Sequence, residues 1–171
     1  MRILFSGLIA AGLVTSQIAA AECTRPNDHA AFDVTGLKTQ LMVTALTCSA
    51  DERYNAFIVK FRPDLVAQEK LLNTYFSRTY GRSATKQHDD YITQLANSQS
   101  QTGLKQGSLF CDRNVGIFDE VMALRSGAEL SDFAAGKALS QPVSLTSCGG
   151  TPERATRTAT RTATRSTRHR S

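Results

Sequence analysis

Many of the motifs that identify enzymes are absent from this sequence of 171 residues. It has no G-x-S-x-G nucleophile elbow, no H-E-x-x-H zinc motif and no glycine-rich nucleotide-binding loop. The C-x-x-C pair of thioredoxin-type redox enzymes is missing too. After residue 21 no apolar run approaches the roughly 20 residues that a membrane-spanning helix needs. The sequence therefore predicts no catalytic residue of these kinds, no cofactor and no transmembrane anchor in the processed chain.

The N-terminal residues have the three parts of a secretory signal peptide. Residues 1–2 carry a positive charge, residues 3–18 are mostly apolar, and the small alanines that end at Ala21 form a cleavage site. The apolar run is too short for a membrane anchor. Glu22 precedes Cys23, where a lipoprotein has a small residue, so we do not expect lipid modification. The sequence predicts a signal peptide over 1–21 and a periplasmic or secreted protein.

Composition divides the rest of the chain into two parts. Residues 22–150 have the size of one domain and contain 13 Lys and Arg against 14 Asp and Glu. Residues 151–171 contain six Arg and one Glu, and they include no large apolar residue. The formal net charge of +5 is therefore concentrated in the tail. We expect one folded domain over 22–150, with no affinity for nucleic acid, and a disordered tail over 151–171.

The tail contains a four-residue repeat, because residues 156–165 read T-R-T-A-T-R-T-A-T-R. One interpretation is that the tail binds an anionic polymer or an anionic membrane surface. The other is a neutral expansion of a simple DNA repeat, which we favour because the tail has no aromatic residue for base stacking. The candidate anion-binding residues are Arg154, Arg157, Arg161, Arg165, Arg168 and Arg170.

Four cysteines remain after the predicted cleavage, and an even number in an exported protein indicates two disulfides. We expect Cys48 to pair with Cys111 and Cys23 with Cys148, while the sequential pairing of the same four cysteines stays open. Zinc ligands come in pairs about two to four residues apart, whereas these cysteines are much farther from one another. The sequence therefore predicts disulfides and no metal site.

Apolar residues recur at helical spacing through much of the domain, and no clear alternating stretch indicates a strand. Between the helices, residues 97–107 are rich in Ser, Gln, Asn and Gly, which is typical of a loop. The sequence predicts an all-α, single-domain bundle of five to six helices, stabilised by disulfides. The predicted helices cover 36–48, a segment ending at Arg62, 63–80, about 88–96, a segment beginning near Ser108, and about 128–136.

The densest group of titratable residues is His88-Asp89-Asp90. Adjacent helical residues point about 100° apart, so these three side chains do not converge, and we interpret the group as the start of a helix. Two carboxylate pairs, at 51–52 and 119–120, are better explained as solvated helix faces than as glycosidase acids. An aromatic series could line a ligand pocket, although core packing is the simpler explanation; it comprises Tyr54, Phe57, Phe61, Tyr75 and Phe76.

Three stretches resemble small exported helical proteins of Gram-negative, alphaproteobacterial type, which have no established function. They are L-K-T-Q-L-M-V-T-A-L-T-C at 37–48, R-Y-N-A-F-I-V-K-F-R-P at 53–63 and H-D-D-Y-I-T-Q-L-A-N-S-Q-S at 88–100. The resemblance covers most of residues 34–135 and excludes the tail. It implies a periplasmic location and assigns no catalytic residue.

These observations favour a non-enzymatic, exported helical protein that serves as an accessory or binding module of the cell envelope. Its partner would be an envelope protein or an anionic polymer. One alternative is a small hydrolase of envelope polymers that uses carboxylates such as Asp89 and Asp90. Another is a protein that attaches to anionic surfaces through its arginine-rich tail.

Overall fold

The structure, a computed structural model, describes residues 24–143. The predicted signal peptide, Cys23, Cys148 and the arginine-rich tail lie outside this range. Within it the chain forms seven α-helices, a single 3₁₀ turn over Gly81–Ser83 and no β-strand. The helices are α1 (Pro26–Cys48), α2 (Asp51–Lys60), α3 (Arg62–Tyr80), α4 (Ala84–Gln106), α5 (Leu109–Asn114), α6 (Ile117–Ala123) and α7 (Gly127–Ala135).

The predicted all-α fold is confirmed, and the predicted helices occur in the expected order. The segment predicted as a fifth helix is divided into two short helices, α5 and α6. Between them lie Val115 and Gly116, and a glycine inside a helix lowers its stability by roughly 0.5–1 kcal/mol. None of the described helices is long and apolar enough to cross a membrane.

Helix α1 is the central helix, and it begins ten residues before the predicted start at Gly36. Thirteen of its 23 residues are buried, because α1 contacts α2, α3, α4, α5 and α7. A helix that is buried on all sides has no single apolar stripe, so periodicity alone does not mark its beginning. Pro26 stands in the first turn, and the Asp28 carboxylate accepts a hydrogen bond from the Arg25 backbone N–H.

The predicted loop over residues 97–107 is wrong, because α4 continues through this segment to Gln106. Gln99 is fully buried, and its Nε2 donates a hydrogen bond to the Gly36 carbonyl of α1 at 3.0 Å. Gly103 lies against the Phe110 ring, which a Cβ would approach to 3.2 Å. The polar and small residues of this segment therefore serve close helix packing, and the helix ends at Gly107, which has a φ of 56°.

The core consists of two clusters of buried side chains, both built on α1. The first cluster joins α1 to α2, α6 and α7 and contains Val34, Leu37, Leu41, Ala45, Phe57, Phe61, Phe118, Val121, Leu130 and Ala134. The second cluster joins α1 to α3 and α4 and contains Ala31, Phe32, Leu72, Phe76, Tyr91 and Leu95. Helix α3 contributes to the second cluster through Leu72 and Phe76.

Two tethers hold the bundle at opposite ends of α1. A disulfide joins Cys48, at the last residue of α1, to Cys111 of α5, which confirms the predicted pairing of these two cysteines. Near the other end of α1, Asp28 is almost fully buried and forms an ion pair of 2.8 Å with Arg78 of α3. The predicted pairing of Cys23 with Cys148 concerns residues outside the described range.

Candidate ligand-binding groove

A groove with a volume of about 560 Å³ opens at the surface where α1, α2, α3 and α4 meet. This volume lies within the range of about 300–1,000 Å³ that small-molecule sites have. We call it the aliphatic groove. Its lining residues are Lys38 of α1, Ile58 of α2, Arg62, Leu65, Val66 and Glu69 of α3, and His88 and Ile92 of α4.

The aliphatic groove follows from the way in which the two clusters meet. Ile58 and Leu65 pack against the outer side of the first cluster, and Ile92 packs against the second. Helices α2 and α3 are separate because Phe61 ends α2 and Pro63 lies in the first turn of α3. The floor of the groove is therefore the shared apolar surface of both clusters.

The aliphatic side chains of the groove remain accessible to solvent. Ile58, Leu65 and Ile92 are half-buried, and Val66 is 64% exposed. Single exposed apolar residues are common on protein surfaces, but four that line one concave site form a surface that a ligand can desolvate. The arrangement can therefore bind an apolar group.

Helix α3 supplies half of the lining from a single face. Arg62, Leu65, Val66 and Glu69 have the spacing i, i+3, i+4 and i+7, which places them along one side of a helix. The cationic residue is the first of α3, the aliphatic pair follows, and the carboxylate comes last, so charge changes sign along the groove.

Glu69 is the centre of the charged group at its end of the groove. Its carboxylate lies 3.8 Å from Lys38 Nζ and 3.2 Å from His88 Nε2, and it accepts a hydrogen bond from Asn73 Nδ2. The His88 ring packs edge-on against Phe76. Although Glu69 is close, His88 Nε2 is buried without a hydrogen bond of adequate geometry. We therefore regard this contact as a proximity that becomes an ion pair only when His88 is protonated.

Arg62, at the opposite end, is exposed and has no ion-pair partner among residues 24–143. With His88 neutral, Lys38 and Arg62 outnumber the single carboxylate of Glu69 in the lining. The aliphatic groove thus has one excess positive charge, and Arg62 carries it.

A second recess, of about 420 Å³, has a different character. We call it the aromatic recess; its lining residues are Phe32, Tyr75, Phe76, Tyr80, Gln87, Asp90, Tyr91, Gln94, Pro142 and Val143. Phe32 packs edge-on against Tyr75 and Tyr91, with ring centroids 4.9 and 5.0 Å apart. These contacts belong to the second cluster, so the rings of this recess serve the core.

Two polar groups of the aromatic recess, the Tyr91 hydroxyl and the Asp90 carboxylate, have partners within the protein. The Tyr91 hydroxyl donates a hydrogen bond to Gln141 Oε1 at 3.0 Å, and Gln141 Nε2 donates one to the Phe32 carbonyl at 3.0 Å. Burial raises the pKa of Tyr91 well above its ordinary value. Asp90 is paired with Lys86 one turn earlier on α4. The buried hydroxyl of the recess is therefore satisfied without a ligand.

The structure does not bring His88, Asp89 and Asp90 to one site, although His88 Nδ1 lies 3.7 Å from Asp89 Oδ1. His88 lines the aliphatic groove, Asp90 lines the aromatic recess, and Asp89 has a 72% exposed side chain. The group lies in the second turn of α4, which begins at Ala84, so its interpretation as a helix start is wrong. The two carboxylates that the hydrolase alternative would use thus have different surroundings, because Asp90 is paired with Lys86 and Asp89 is exposed.

The carboxylates at 119–120 and the aromatic series make contacts within the protein. Asp119 forms an ion pair of 3.1 Å with Arg53, and Glu120 forms one of 2.6 Å with Lys137. The aromatic series is divided between the clusters: Phe57 and Phe61 belong to the first and Phe76 to the second, with Tyr54 and Tyr75 packed against them. None of the five lines the aliphatic groove.

Sequence reasoning missed the residues that define the groove. The sequence does not mark four of the lining residues as site residues, because each is an ordinary surface residue of its helix; they are Lys38, Arg62, Val66 and Glu69. The only available signal was the combination of cationic, aliphatic and acidic residues on one face of α3. Among residues 24–143 the structure contains no group of three potential metal ligands.

The chain matches no protein-family model, no curated protein and no solved structure. The resemblance to small exported helical proteins therefore stays a prediction.

Proposed function

We propose that this protein is a non-enzymatic binding module of the cell envelope, exported to the periplasm or secreted, which holds an apolar part of its ligand in the aliphatic groove. The observation that carries the proposal is the groove itself, where four aliphatic side chains line one open site of about 560 Å³. Burial of apolar surface stabilises a complex by roughly 25 cal/mol for each Å².

Export is supported by the disulfide between Cys48 and Cys111. Disulfides persist in oxidising compartments and are rare in the cytosol, so this bond agrees with the signal peptide that residues 1–21 predict. Mass spectrometry of the protein recovered from the periplasm or the medium tests this part. We expect an N-terminus near Glu22 and no thiol that can be alkylated; an uncleaved chain with free thiols would contradict export.

The binding experiment uses N-phenyl-naphthylamine, a neutral dye that becomes fluorescent in apolar sites, and the chain without residues 1–21. The test variant is Val66→Asn, and the matched control is Val59→Asn. Both valines are exposed helical residues, at 64% and 70%, but only Val66 lines the groove. The two substitutions change helix propensity equally.

We expect saturable dye binding that Val66→Asn weakens by about threefold to tenfold, because a polar amide then replaces apolar contact surface. Val59→Asn should leave the affinity unchanged. Equal affinities for both variants, or no saturable binding by the unchanged protein, would contradict the proposed function. Circular dichroism of both variants shows that any difference does not arise from unfolding.

A further inference from the structure

We infer that the ligand of the aliphatic groove is a single-chain amphiphile with a carboxylate head, and that Arg62 binds this head. The inference rests on the proposed function and extends it from an apolar site to a defined ligand class. It depends on the position of Arg62, which carries the one excess positive charge of the lining, relative to the aliphatic side chains of the groove.

The order of residues on α3 gives the ligand its orientation. Arg62 and Glu69 lie at opposite ends of the same helical face, about 10 Å apart at 1.5 Å per residue, with Leu65 and Val66 between them. An aliphatic chain that lies over Val66 therefore has the Arg62 guanidinium near one of its ends and the Glu69 carboxylate near the other. An anionic head is attracted by Arg62 and repelled by Glu69.

Arg62 is suited to this role by its own surroundings. It has no ion-pair partner within the described part of the chain, so a ligand need not displace one. It is also the first residue of α3, a helix of 19 residues, whose N-terminal end favours negative charge. A guanidinium group can bind both oxygens of one carboxylate at the same time.

The charge of the site favours a carboxylate over a phosphate. The lining has one excess positive charge when His88 is neutral, which matches a carboxylate. A phosphate monoester carries about −1.5 to −2 at pH 7 and would leave negative charge uncompensated. Lys38 does not compensate this remaining negative charge of the phosphate, because Glu69 already lies 3.8 Å from the Lys38 ammonium group.

Displacement of the bound neutral dye measures this selectivity. The three competitors share an alkyl chain of eleven carbons and differ in the head group: dodecanoate, undecyl phosphate and undecyltrimethylammonium, each used below its micelle concentration. We expect dodecanoate to bind about tenfold more tightly than the ammonium compound. Undecyl phosphate should bind no more tightly than dodecanoate; a clear preference for phosphate would overturn the carboxylate assignment.

Two groove variants should act in opposite directions. Arg62→Gln should weaken dodecanoate binding by about threefold to tenfold, since an ion pair between exposed groups contributes only a modest binding energy. Glu69→Gln should strengthen it, because it removes the only carboxylate of the lining. The matched control is Arg82→Gln, which removes the same charge from an exposed residue of the 3₁₀ turn that does not line the groove. It should leave dodecanoate affinity unchanged.

The outcomes separate this inference from the proposed function. If Arg62→Gln and Arg82→Gln weaken dodecanoate binding equally, the attraction is general and the inference is wrong. The proposed function then still holds if Val66→Asn weakens binding of the neutral dye. If the unchanged protein binds neither the dye nor dodecanoate, both are wrong. Attraction of dodecanoate by the basic tail is common to all variants, so the ratio of each variant to the unchanged protein is the readout.

Discussion

The aliphatic groove and the aromatic recess are similar in volume and are both lined by residues of α3 and α4, yet their side chains are used differently. In the recess the rings of Phe32, Tyr75 and Tyr91 pack on one another, and the buried hydroxyl of Tyr91 bonds to Gln141. In the groove Val66 is mostly exposed and Arg62 has no ionic partner within residues 24–143. The rings of the aromatic recess thus contribute to core packing, and the exposed side chains of the aliphatic groove are available to a ligand.

The two cavities should therefore differ in what they stabilise: the aromatic recess stabilises the folded protein, and the aliphatic groove stabilises the complex with the ligand. Substitutions in the aromatic recess should change the free energy of unfolding and leave ligand binding intact in any variant that remains folded. Substitutions in the aliphatic groove should do the reverse. The predictions below test this division, beginning with the largest expected effect.

Phe32→Ala should lower the free energy of unfolding by about 3–5 kcal/mol, because it removes a buried ring from the second cluster. Urea denaturation measures the change. If the variant is folded without urea, its affinity for the neutral dye should be close to that of the unchanged protein. A small loss of stability together with a large loss of dye binding would show that the recess, and not the groove, is the binding site.

Asp28→Asn should destabilise the protein by about 1.5–3 kcal/mol, because it removes the charge of an almost fully buried carboxylate that pairs with Arg78 and accepts the Arg25 backbone N–H. Arg78 also lies over the Tyr75 ring, so this ion pair supports the aromatic recess. The matched control is Asp89→Asn, whose side chain is 72% exposed and which should change stability by less than about 0.5 kcal/mol. Equal effects of the two substitutions would contradict this role for the ion pair.

Tyr91→Phe should cost about 1 kcal/mol at pH 8 through loss of the hydrogen bond to Gln141. Burial raises the pKa of Tyr91 in the folded protein above the value of about 10 in the unfolded chain. The unfolded state therefore loses this proton first, and stability falls as pH rises above about 10.

The phenylalanine variant lacks this source of alkaline destabilisation, so the difference between it and the unchanged protein should shrink between pH 8 and about pH 11. Burial also raises the pKa of Tyr54 and Tyr75, but these residues are present in both proteins and do not affect the difference. Urea denaturation at both pH values checks this prediction. A difference that is the same at the two pH values would contradict the assigned burial of the hydroxyl.

Val66→Asn and Val59→Asn should each change the free energy of unfolding by no more than about 0.5 kcal/mol, since both side chains are exposed. This is the smallest expected effect, and it sharpens the comparison because only Val66→Asn should weaken dye binding. A large loss of stability in Val66→Asn alone would mean that Val66 belongs to the core.

The fold was largely predictable because most helices carry local signals. Pro63 and Gly81 lie where helix α3 begins and ends, and apolar residues recur between them. The same reasoning failed for the beginning of α1 and for residues 97–107 of α4. In both cases tertiary contacts decide the structure: α1 contacts five other helices, and Gln99 and Gly103 pack against neighbouring helices.

The groove was not predictable, because it arises from the packing of four helices. Lys38 and Ile92 are 54 positions apart in the sequence and line the same groove only because α1 and α4 pack together. The pairing of Cys48 with Cys111 was predictable to a greater degree, since the expected helices placed both cysteines within the bundle. Exposure of Val66 and the lack of a partner for Arg62 become visible only in three dimensions.

The central claim is that the aliphatic groove is the binding site, and the most direct test is to locate the bound dye. Isotope-edited nuclear Overhauser spectroscopy with labelled Ile, Leu and Val methyl groups and labelled Tyr rings measures which side chains lie next to it. We expect contacts from the dye to the methyl groups of Ile58, Val66 and Ile92. Contacts confined to Val143 and to the rings of Tyr75 and Tyr80, which line the aromatic recess, would contradict the claim.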